Sequence, residues 1–125
     1  MINTSYHHHN LGQWGEDQAA RYLQRQGLKL LTRHYHTRFG EIDLIFRDRE
    51  TIVFVEVKTR EKIFQPSALD AITSSKQKKI IGTALAYLKH RRFEKENIRF
   101  DVILIEGDRL EWLRDAFEIS PFFTR

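Results

Sequence analysis

The sequence contains no cysteine, only two prolines and no long apolar run. The lack of cysteine excludes disulfide bonds and thiolate metal sites, and it fits a reducing compartment. No segment reaches the roughly 20 consecutive apolar residues that a membrane-spanning helix needs, and the N-terminus lacks the pattern of a signal peptide. We therefore expect a cytoplasmic protein that makes no membrane contact.

The composition is that of one globular domain. The chain has 125 residues, of which 41% are apolar, and neither a repeat nor a linker divides it. We expect a single domain over residues 1–125, with residues 1–10 as a flexible terminus. The 21 Lys and Arg against 17 Asp and Glu give a net charge of +4. This balance permits a polyanionic partner without requiring one.

Hydrophobic periodicity predicts two helices and five strands. Apolar residues recur at helical spacing over residues 11–26 and 75–92, and a short helical turn is expected at 67–70. The predicted strands are 28–35, 41–47, 52–59, 98–106 and 109–113. The last two strands flank Gly107-Asp108, a strong hairpin signal. The order αβββαββ indicates a mixed α/β (α+β) protein with helices packed on a mixed sheet.

The second and third strands predict a hairpin of defined register. A turn centred between Arg49 and Glu50 pairs residues whose numbers sum to 99. On one face this register gives three apolar pairs: Ile42 with Val57, Leu44 with Val55, and Phe46 with Val53. Such a face can pack on a helix layer, and its burial would fix the register.

The opposite face of this hairpin pairs Asp43 with Glu56 and Glu41 with Lys58. Two carboxylates about 5 Å apart repel by roughly 3 kcal/mol at an effective dielectric constant of about 20. Mg²⁺ or Mn²⁺ would offset this repulsion, since both ions prefer oxygen ligands and often keep positions open for water and phosphate. Lys58 would then stand beside the ion, where it could orient water or stabilise charge on a phosphate.

A second interpretation of these charges is an exposed, solvated sheet face without a site. The apolar pair Ile45 and Phe54 lies on the same face and argues against free solvation. The first helix adds another carboxylate, because Glu16 falls between Ala20 and Leu23 at the edge of the apolar stripe. Glu16 would point toward the sheet and could complete a three-carboxylate site.

Asp43, followed by Glu56-Val57-Lys58 and preceded by a helical Glu16, resembles the PD-(D/E)XK nuclease signature. A wider pattern covers nearly the whole chain: Gly15, Glu16, Ala19, Tyr22, Leu23, Gly27, 40–45, 53–58, Lys76, 86–88 and 99–102. This pattern resembles the YraN-type family of small bacterial proteins. The resemblance implies a restriction-endonuclease-like core, related to archaeal Holliday-junction resolvases, with nucleic acid as substrate.

The resemblance also implies roles for individual residues. Asp43 and Glu56, with the backbone carbonyl of Val57, would bind Mg²⁺ or Mn²⁺. Lys58 would be the signature lysine, and Glu16 would be the helix carboxylate near the metal. Together, Asp43, Glu56, Lys58 and Glu16 would form the catalytic set.

The chain departs from the superfamily pattern at two places. Ile42 stands where the name of the signature has proline, which weakens the motif match more than the chemistry. The Gln-x-x-x-Tyr element of exonuclease-like branches is missing, since Gln77 is followed at that spacing by Ile81. This second departure argues against an exonuclease role.

Four basic residues are candidates for phosphate contacts: Lys76, Lys79, Arg60 and Arg38. Contacts of this kind would give salt-dependent binding with little sequence preference. Asp101 could support the site, but we expect it to pair with a basic residue. Four aromatic residues could stack on bases, but we expect them to pack in the core: Trp14, Tyr35, Phe39 and Phe64.

These observations predict a metal-dependent endonuclease that hydrolyses phosphodiesters in DNA, with structured or branched DNA as the expected substrate. Two alternatives stay open: a non-catalytic nucleic-acid-binding or scaffold module that keeps the metal-site residues, and an RNA-directed nuclease. The resolvase resemblance also implies a possible homodimer. Apolar residues near the C-terminus could serve its interface, although packing on their own domain is the expected use: Phe117, Ile119, Phe122 and Phe123.

Overall fold

A computed structural model of the chain describes residues 10–61 and 72–119. Seven elements follow one another there: α1 (Leu11–Arg25), β1 (Lys29–Thr37), β2 (Gly40–Asp48), β3 (Thr51–Arg60), α2 (Ser74–Arg91), β4 (Asn97–Glu106) and β5 (Arg109–Phe117). The predicted order αβββαββ is confirmed. Residues 1–9 of the expected flexible terminus and the helical turn at 67–70 lie outside the described residues, whereas Asn10 is described. Neither described helix is long and apolar enough to cross a membrane.

The five strands form one sheet in the order β1-β2-β3-β4-β5. Every neighbouring pair is antiparallel except β3 and β4, which run parallel. A parallel connection needs a crossover, and the chain segment between these strands contains α2. The result is a mixed α+β fold in which β3 occupies the centre of the sheet.

The sheet separates two hydrophobic clusters, one under each helix. Trp14 and Leu23 of α1 pack with Val53 and Val55 of β3 on one face. Tyr87 of α2 packs with aromatic residues of β3 and β4 on the other face. Because β3 and β4 are covered on both sides, their sequences read as nearly continuous apolar runs.

The predicted hairpin register is confirmed over the inner part of β2 and β3. The paired residues are Leu44 with Val55, Ile45 with Phe54, Phe46 with Val53, Arg47 with Ile52 and Asp48 with Thr51. The prediction that Ile42 shares a face with Leu44 is wrong. Ile42 is buried in the α2 cluster, whereas Leu44 belongs to the α1 cluster. The β2–β3 ladder ends at Leu44, so the alternation of the hairpin no longer dictates the direction of Ile42.

Side-chain caps set the start of both helices. The Asn10 side chain caps α1 by accepting a hydrogen bond from Gln13 N at 2.6 Å. The cap of α2 is Thr73, whose Oγ1 accepts from Lys76 N at 3.1 Å. Asn and Thr both suit the cap position because their side-chain oxygens accept hydrogen bonds from backbone N–H groups. Thr73 has the extended backbone of a cap, with φ −70° and ψ 162°.

The Gly107-Asp108 hairpin is confirmed, with Glu106 paired to Arg109 and Gly107 in the left-handed region at φ +60°. Strand β5 runs to Phe117, past the predicted end at residue 113. Phe117 and Ile119 pack against the α2 cluster, which confirms packing on their own domain. The other two candidate interface residues, Phe122 and Phe123, lie outside the described residues.

The close approach of α1 to β3 depends on Gly15. An ideal Cβ built on Gly15 would lie 2.9 Å from Thr59 Cβ and closer still to its hydroxyl oxygen. Only a residue without a side chain fits there. This contact matters for the site, because the neighbouring residue in α1 is Glu16.

We predict that Gly15→Ala destabilises the protein by roughly 1–3 kcal/mol, since the added methyl forces α1 away from Thr59. The matched control is Gly12→Ala in the same helix, where the new Cβ would meet only Asn10 Oδ1 at 3.6 Å. Helix propensity should make this control neutral or stabilising by up to about 1 kcal/mol. Urea denaturation measures both variants. Equal effects of the two changes would contradict the close-contact explanation.

Candidate active site

The candidate site lies where β2 separates from β3. The regular pairing of the two strands ends at Leu44 and Val55. Next to this end, the backbone N–H of Val57 on β3 donates a hydrogen bond to Asp43 Oδ2 on β2, at 2.9 Å. The sequence predicted that Asp43 faces Glu56 across a regular ladder, and this prediction is wrong because the ladder ends at Leu44. The two carboxyl groups still interact, both by charge repulsion and through a shared hydrogen bond.

Glu56 has an ammonium partner that the sequence did not assign to it. Its side chain is only 6% exposed, and Lys76 Nζ lies 2.7 Å from Oε2. Lys76 belongs to the first turn of α2, where a cation runs against the helix dipole. The buried carboxylate explains this position, because Glu56 gives the ammonium a counter-charge. The Lys76 side chain itself is 47% exposed.

Burial shifts the protonation of both strand carboxyl groups. Desolvation first, and then the negative charge of Asp43, raise the pKa of Glu56 to about 8, although Lys76 opposes this. Desolvation also raises the pKa of Asp43, against the hydrogen bond from Val57 N. In the protein alone, Glu56 therefore holds a proton over much of the neutral range. Two buried carboxylates of this kind are not fully neutralised by one partly exposed lysine.

Glu16 joins the cluster from the α1 side. Burial and then the charge of Asp43 raise the pKa of Glu16 to about 7. Asp43 thus raises the pKa of two glutamates, Glu16 of α1 and Glu56 of β3. The predicted approach of Glu16 to the site is consistent with this coupling.

His34 is a site residue that sequence reasoning missed. Its Nε2 lies 2.9 Å from Glu16 Oε1, and its Nδ1 lies 2.9 Å from Glu41 Oε2. The hydrogen bond with Glu41 raises the pKa of His34, which favours the imidazolium between two carboxylates. His34 lies on β1 and has a left-handed backbone, with φ +52°. The alternation of His34 and His36 opposite Glu41 was the only sequence signal for this contact.

An open cavity of about 450 Å³ borders the carboxyl groups of Glu41, Asp43 and Glu56, whereas Glu16 is not among its described lining residues. Its walls come from β2, β3 and the first turns of α2: Gly40, Glu41, Asp43, Glu56, Thr73, Ser75, Lys76, Lys79 and Ile80. Four of the predicted site residues therefore meet at one cavity. They are Asp43, Glu56, Lys76 and Lys79.

The other predicted basic residues lie apart from this cavity. Lys58 follows Glu56 by two residues on β3 and is partly buried, but within the described residues it forms no ion pair with either carboxylate. Arg60 binds the buried Glu106 at 3.3 Å, which gives it a structural partner. Arg38 is exposed in the β1–β2 turn, with its guanidinium 5.3 Å from the Phe39 ring centroid.

The residues offer part of a metal site. Asp43 and Glu56 bring hard oxygen donors together, and burial raises the pKa of both because it disfavours their charged forms. Across residues 10–61 and 72–119, however, no group of three or more carboxylate or imidazole side chains is placed to hold an ion. Glu16 is engaged by His34 instead. The predicted ligand set of Asp43, Glu56, Val57 carbonyl and Glu16 stays a prediction.

A larger cavity, of about 660 Å³, lies near the β2–β3 turn, and three of its charged side chains, Asp48, Arg99 and Arg114, are paired with one another. Arg99 binds Asp48 at 2.9 Å and Asp101 at 3.0 Å. Asp101 also accepts from Trp112 Nε1 at 2.9 Å. This network confirms the expected pairing of Asp101 with a basic residue and gives these groups a structural use.

The profile of Uncharacterised protein family UPF0102 matches residues 15–105. The chain belongs to this family. The match runs from Gly15 through β4, so it includes Glu16, Asp43, Glu56 and Lys76. The family assignment expected from the sequence pattern is confirmed. The description of the family does not specify an activity.

Relatives of similar length come from several bacteria. A UPF0102 protein of Nitrosococcus oceani is 44% identical over 118 residues, covering 90% of this chain and 95% of the relative. One from Nitrosomonas europaea is 45% identical and covers 89% and 96%. One from Vibrio parahaemolyticus is 46% identical and covers 85% and 90%. The similarity therefore extends over nearly the whole of each chain.

We predict that the metal-free protein loses stability as the pH rises from about 5 to 8. Folded Glu56 holds its proton up to a pKa of about 8, whereas the unfolded chain releases it near 4.5. The folded state therefore binds more protons in this window, and the free energy of unfolding falls with pH. Glu56→Gln, which mimics the protonated form, should be more stable than the natural protein at pH 8 by roughly 1–3 kcal/mol.

Urea denaturation in EDTA across this pH range measures the effect. The matched control is Glu50→Gln, since Glu50 is exposed in the β2–β3 turn. If Glu56→Gln and Glu50→Gln follow the same pH dependence as the natural protein, burial of the Glu56 charge is not the cause.

Proposed function

We propose that this protein is a metal-dependent nuclease that hydrolyses phosphodiesters in DNA, with branched or otherwise structured DNA as the substrate. The observation that carries this proposal is the pair of adjacent, desolvated carboxyl groups on Asp43 and Glu56, beside an open cavity. A purely structural site would not favour burying two acidic groups that repel each other. The sequence resemblance to PD-(D/E)XK nucleases supports the same assignment.

Asp43, Glu56 and the Val57 carbonyl would hold Mg²⁺ or Mn²⁺ in this proposal. A bound ion of this kind lowers the pKa of a water and stabilises negative charge on a phosphate. Asp43 is already oriented for this use, because Val57 N holds its Oδ2 at 2.9 Å. Glu16 and His34 would adjust the charge around Asp43 from the α1 side. Ionisation of all three carboxyl groups becomes favourable once a divalent cation offsets their repulsion.

Two lysines would act on the phosphate. Lys76 contacts Glu56 in the protein alone, and its half-exposed side chain can turn to a phosphate when a cation binds Glu56 instead. Lys58 is on the same side of β3 as Glu56 and would stabilise the charge that develops during attack. Lys79, at the edge of the cavity, would bind the backbone of the nucleic acid.

A non-catalytic nucleic-acid-binding module is the second candidate function. It is favoured by the 2.7 Å contact of Lys76 with Glu56, which gives the buried carboxylate a counter-charge without any metal. The incomplete ligand set among the described residues favours it as well. In this case Lys76 and Glu56 would be a structural ion pair, and the basic residues around the cavity would carry the binding.

We predict cleavage of at least one labelled substrate with Mg²⁺ or Mn²⁺ in a panel of single-stranded, duplex, flap and four-way-junction DNA and RNA. Asp43→Asn and Glu56→Gln should each lower the rate by about 100-fold or more, because each removes a charged ligand. Gel analysis of the products identifies the substrate. The matched controls Asp108→Asn and Glu50→Gln, both at exposed turn positions, should keep full activity.

Two results would contradict the nuclease proposal. One is the absence of cleavage on every substrate with the folded protein and either metal. The other is cleavage that persists unchanged in Asp43→Asn, which points to a contaminating enzyme. Salt-sensitive binding without cleavage would support the binding module instead.

We also predict that Mn²⁺ stabilises the natural protein against heat. A ligand that binds only the folded state adds about 2.7 kcal/mol at a hundredfold excess over its Kd. Asp43→Asn should remove this shift, whereas Asp108→Asn should keep it. Differential scanning calorimetry measures the effect independently of activity. A shift of the same size in Asp43→Asn would place the ion elsewhere on the protein.

A further inference from the structure

Phe39 is the one large apolar side chain within the described residues that is strongly exposed, at 50%. It lies in the β1–β2 turn, which is fixed in place. Phe39 N donates to Thr37 Oγ1 at 3.1 Å, and the same hydroxyl contacts Thr83 Oγ1 of α2 at 3.4 Å. The sequence-based expectation that Phe39 packs in the core is therefore wrong. A fixed turn presents this ring to solvent.

The ring forms one wall of an apolar groove along α2. Phe39 packs against Gly82, where an added Cβ would lie 3.5 Å from the ring atom Cγ. This is an ordinary van der Waals distance, so the ring lies against this turn of α2. Leu85 and Ala86 continue the floor, and the groove has a volume of about 480 Å³.

The charges around this groove are positive. Lys79 and Lys89 stand along the groove on α2, and no carboxylate is among its described lining residues. The Arg38 guanidinium lies 5.3 Å from the Phe39 ring centroid. An aromatic ring flanked by lysines and an arginine is the combination that binds single-stranded nucleic acid, because bases stack on the ring while cations contact phosphates.

The groove is connected to the candidate active site. Lys79 lines both cavities, and Gly40, next to Phe39, lines the active-site cavity. A Cβ on Gly40 would be 3.5 Å from Lys79 Cβ, so the turn and the helix are in contact at this boundary. A strand that crosses Lys79 would therefore reach both the Phe39 ring and the carboxyl groups.

We propose that Phe39 is a stacking platform for an unpaired nucleobase next to the site of cleavage. This inference rests on the proposed function for its location, but it concerns binding and not hydrolysis. It assigns specificity for structured DNA to a particular side chain, since a base must be unpaired to reach the ring. A protein partner would also cover an apolar groove. A polyanion fits this groove better, because its described lining residues include lysines and no carboxylate.

The test measures binding in EDTA, so that no cleavage is needed. The probes are a single-stranded oligonucleotide containing 2-aminopurine and a blunt duplex of the same sequence. Stacking on Phe39 should quench 2-aminopurine fluorescence. We expect Phe39→Ala to abolish the quenching and to weaken single-strand binding about five- to 150-fold, with little change in duplex binding.

Two matched variants separate stacking from simple apolar contact. Phe39→Trp should keep the quenching and the affinity, whereas Phe39→Leu, which is apolar but has no aromatic face, should behave like Phe39→Ala. Circular dichroism and thermal unfolding verify that each variant is folded. Full binding and quenching in Phe39→Leu or Phe39→Ala would overturn the inference. Equal loss of single-strand and duplex binding would overturn it too.

Sedimentation of the same variants tests the rival occupant, a second copy of this chain. A concentration-dependent dimer that Phe39→Ala disrupts, with oligonucleotide binding unchanged, would overturn the stacking proposal. The outcomes also separate this inference from the proposed function. Quenching that depends on Phe39 in a protein that cleaves nothing would support the platform and defeat the nuclease. Cleavage with no effect of Phe39 would do the reverse.

Discussion

The hydrogen bond from Val57 N to Asp43 Oδ2 determines the geometry of the candidate site. In a continued hairpin, that backbone donor would face the backbone of β2, and Asp43 would stand across from Glu56 at ordinary cross-strand spacing. Instead the carboxylate enters the space between the strands, and the regular pairing stops at Leu44. The negative charge of Asp43 then raises the pKa of both Glu16 and Glu56.

Two cations from different elements offset part of the repulsion among these carboxylates. Lys76 of α2 contacts Glu56, and His34 of β1 contacts Glu16. Both cations are substantially exposed, whereas the two glutamates are largely buried. Buried negative charge is thus balanced at the surface, where solvent weakens the attraction. The pKa values of the carboxyl groups therefore stay raised, and a further positive charge near them would favour their ionised forms.

Much of the fold follows from sequence pattern. The alternating apolar residues of β2 and β3 defined the register, and Gly107-Asp108 defined the last hairpin, because both are local effects. The reversal at Ile42 could not be predicted, since it depends on a side chain replacing a backbone partner. The contact between Lys76 and Glu56 depends on how α2 docks, and sequence pattern does not indicate the left-handed backbone of His34. These features of the site depend on contacts between elements that are distant in the chain, which sequence pattern does not specify.

The parallel pairing of β3 with β4 has a consequence for how the site is assembled. The antiparallel strands β1, β2 and β3 are consecutive in the chain, whereas β4 can join only after α2 has crossed over. Local pairings close shorter loops, so the meander is expected to form first. At that stage water still solvates Asp43 and Glu56 from the side that α2 later covers. The electrostatic strain of the site is therefore introduced late, when α2 docks and brings Lys76 with it.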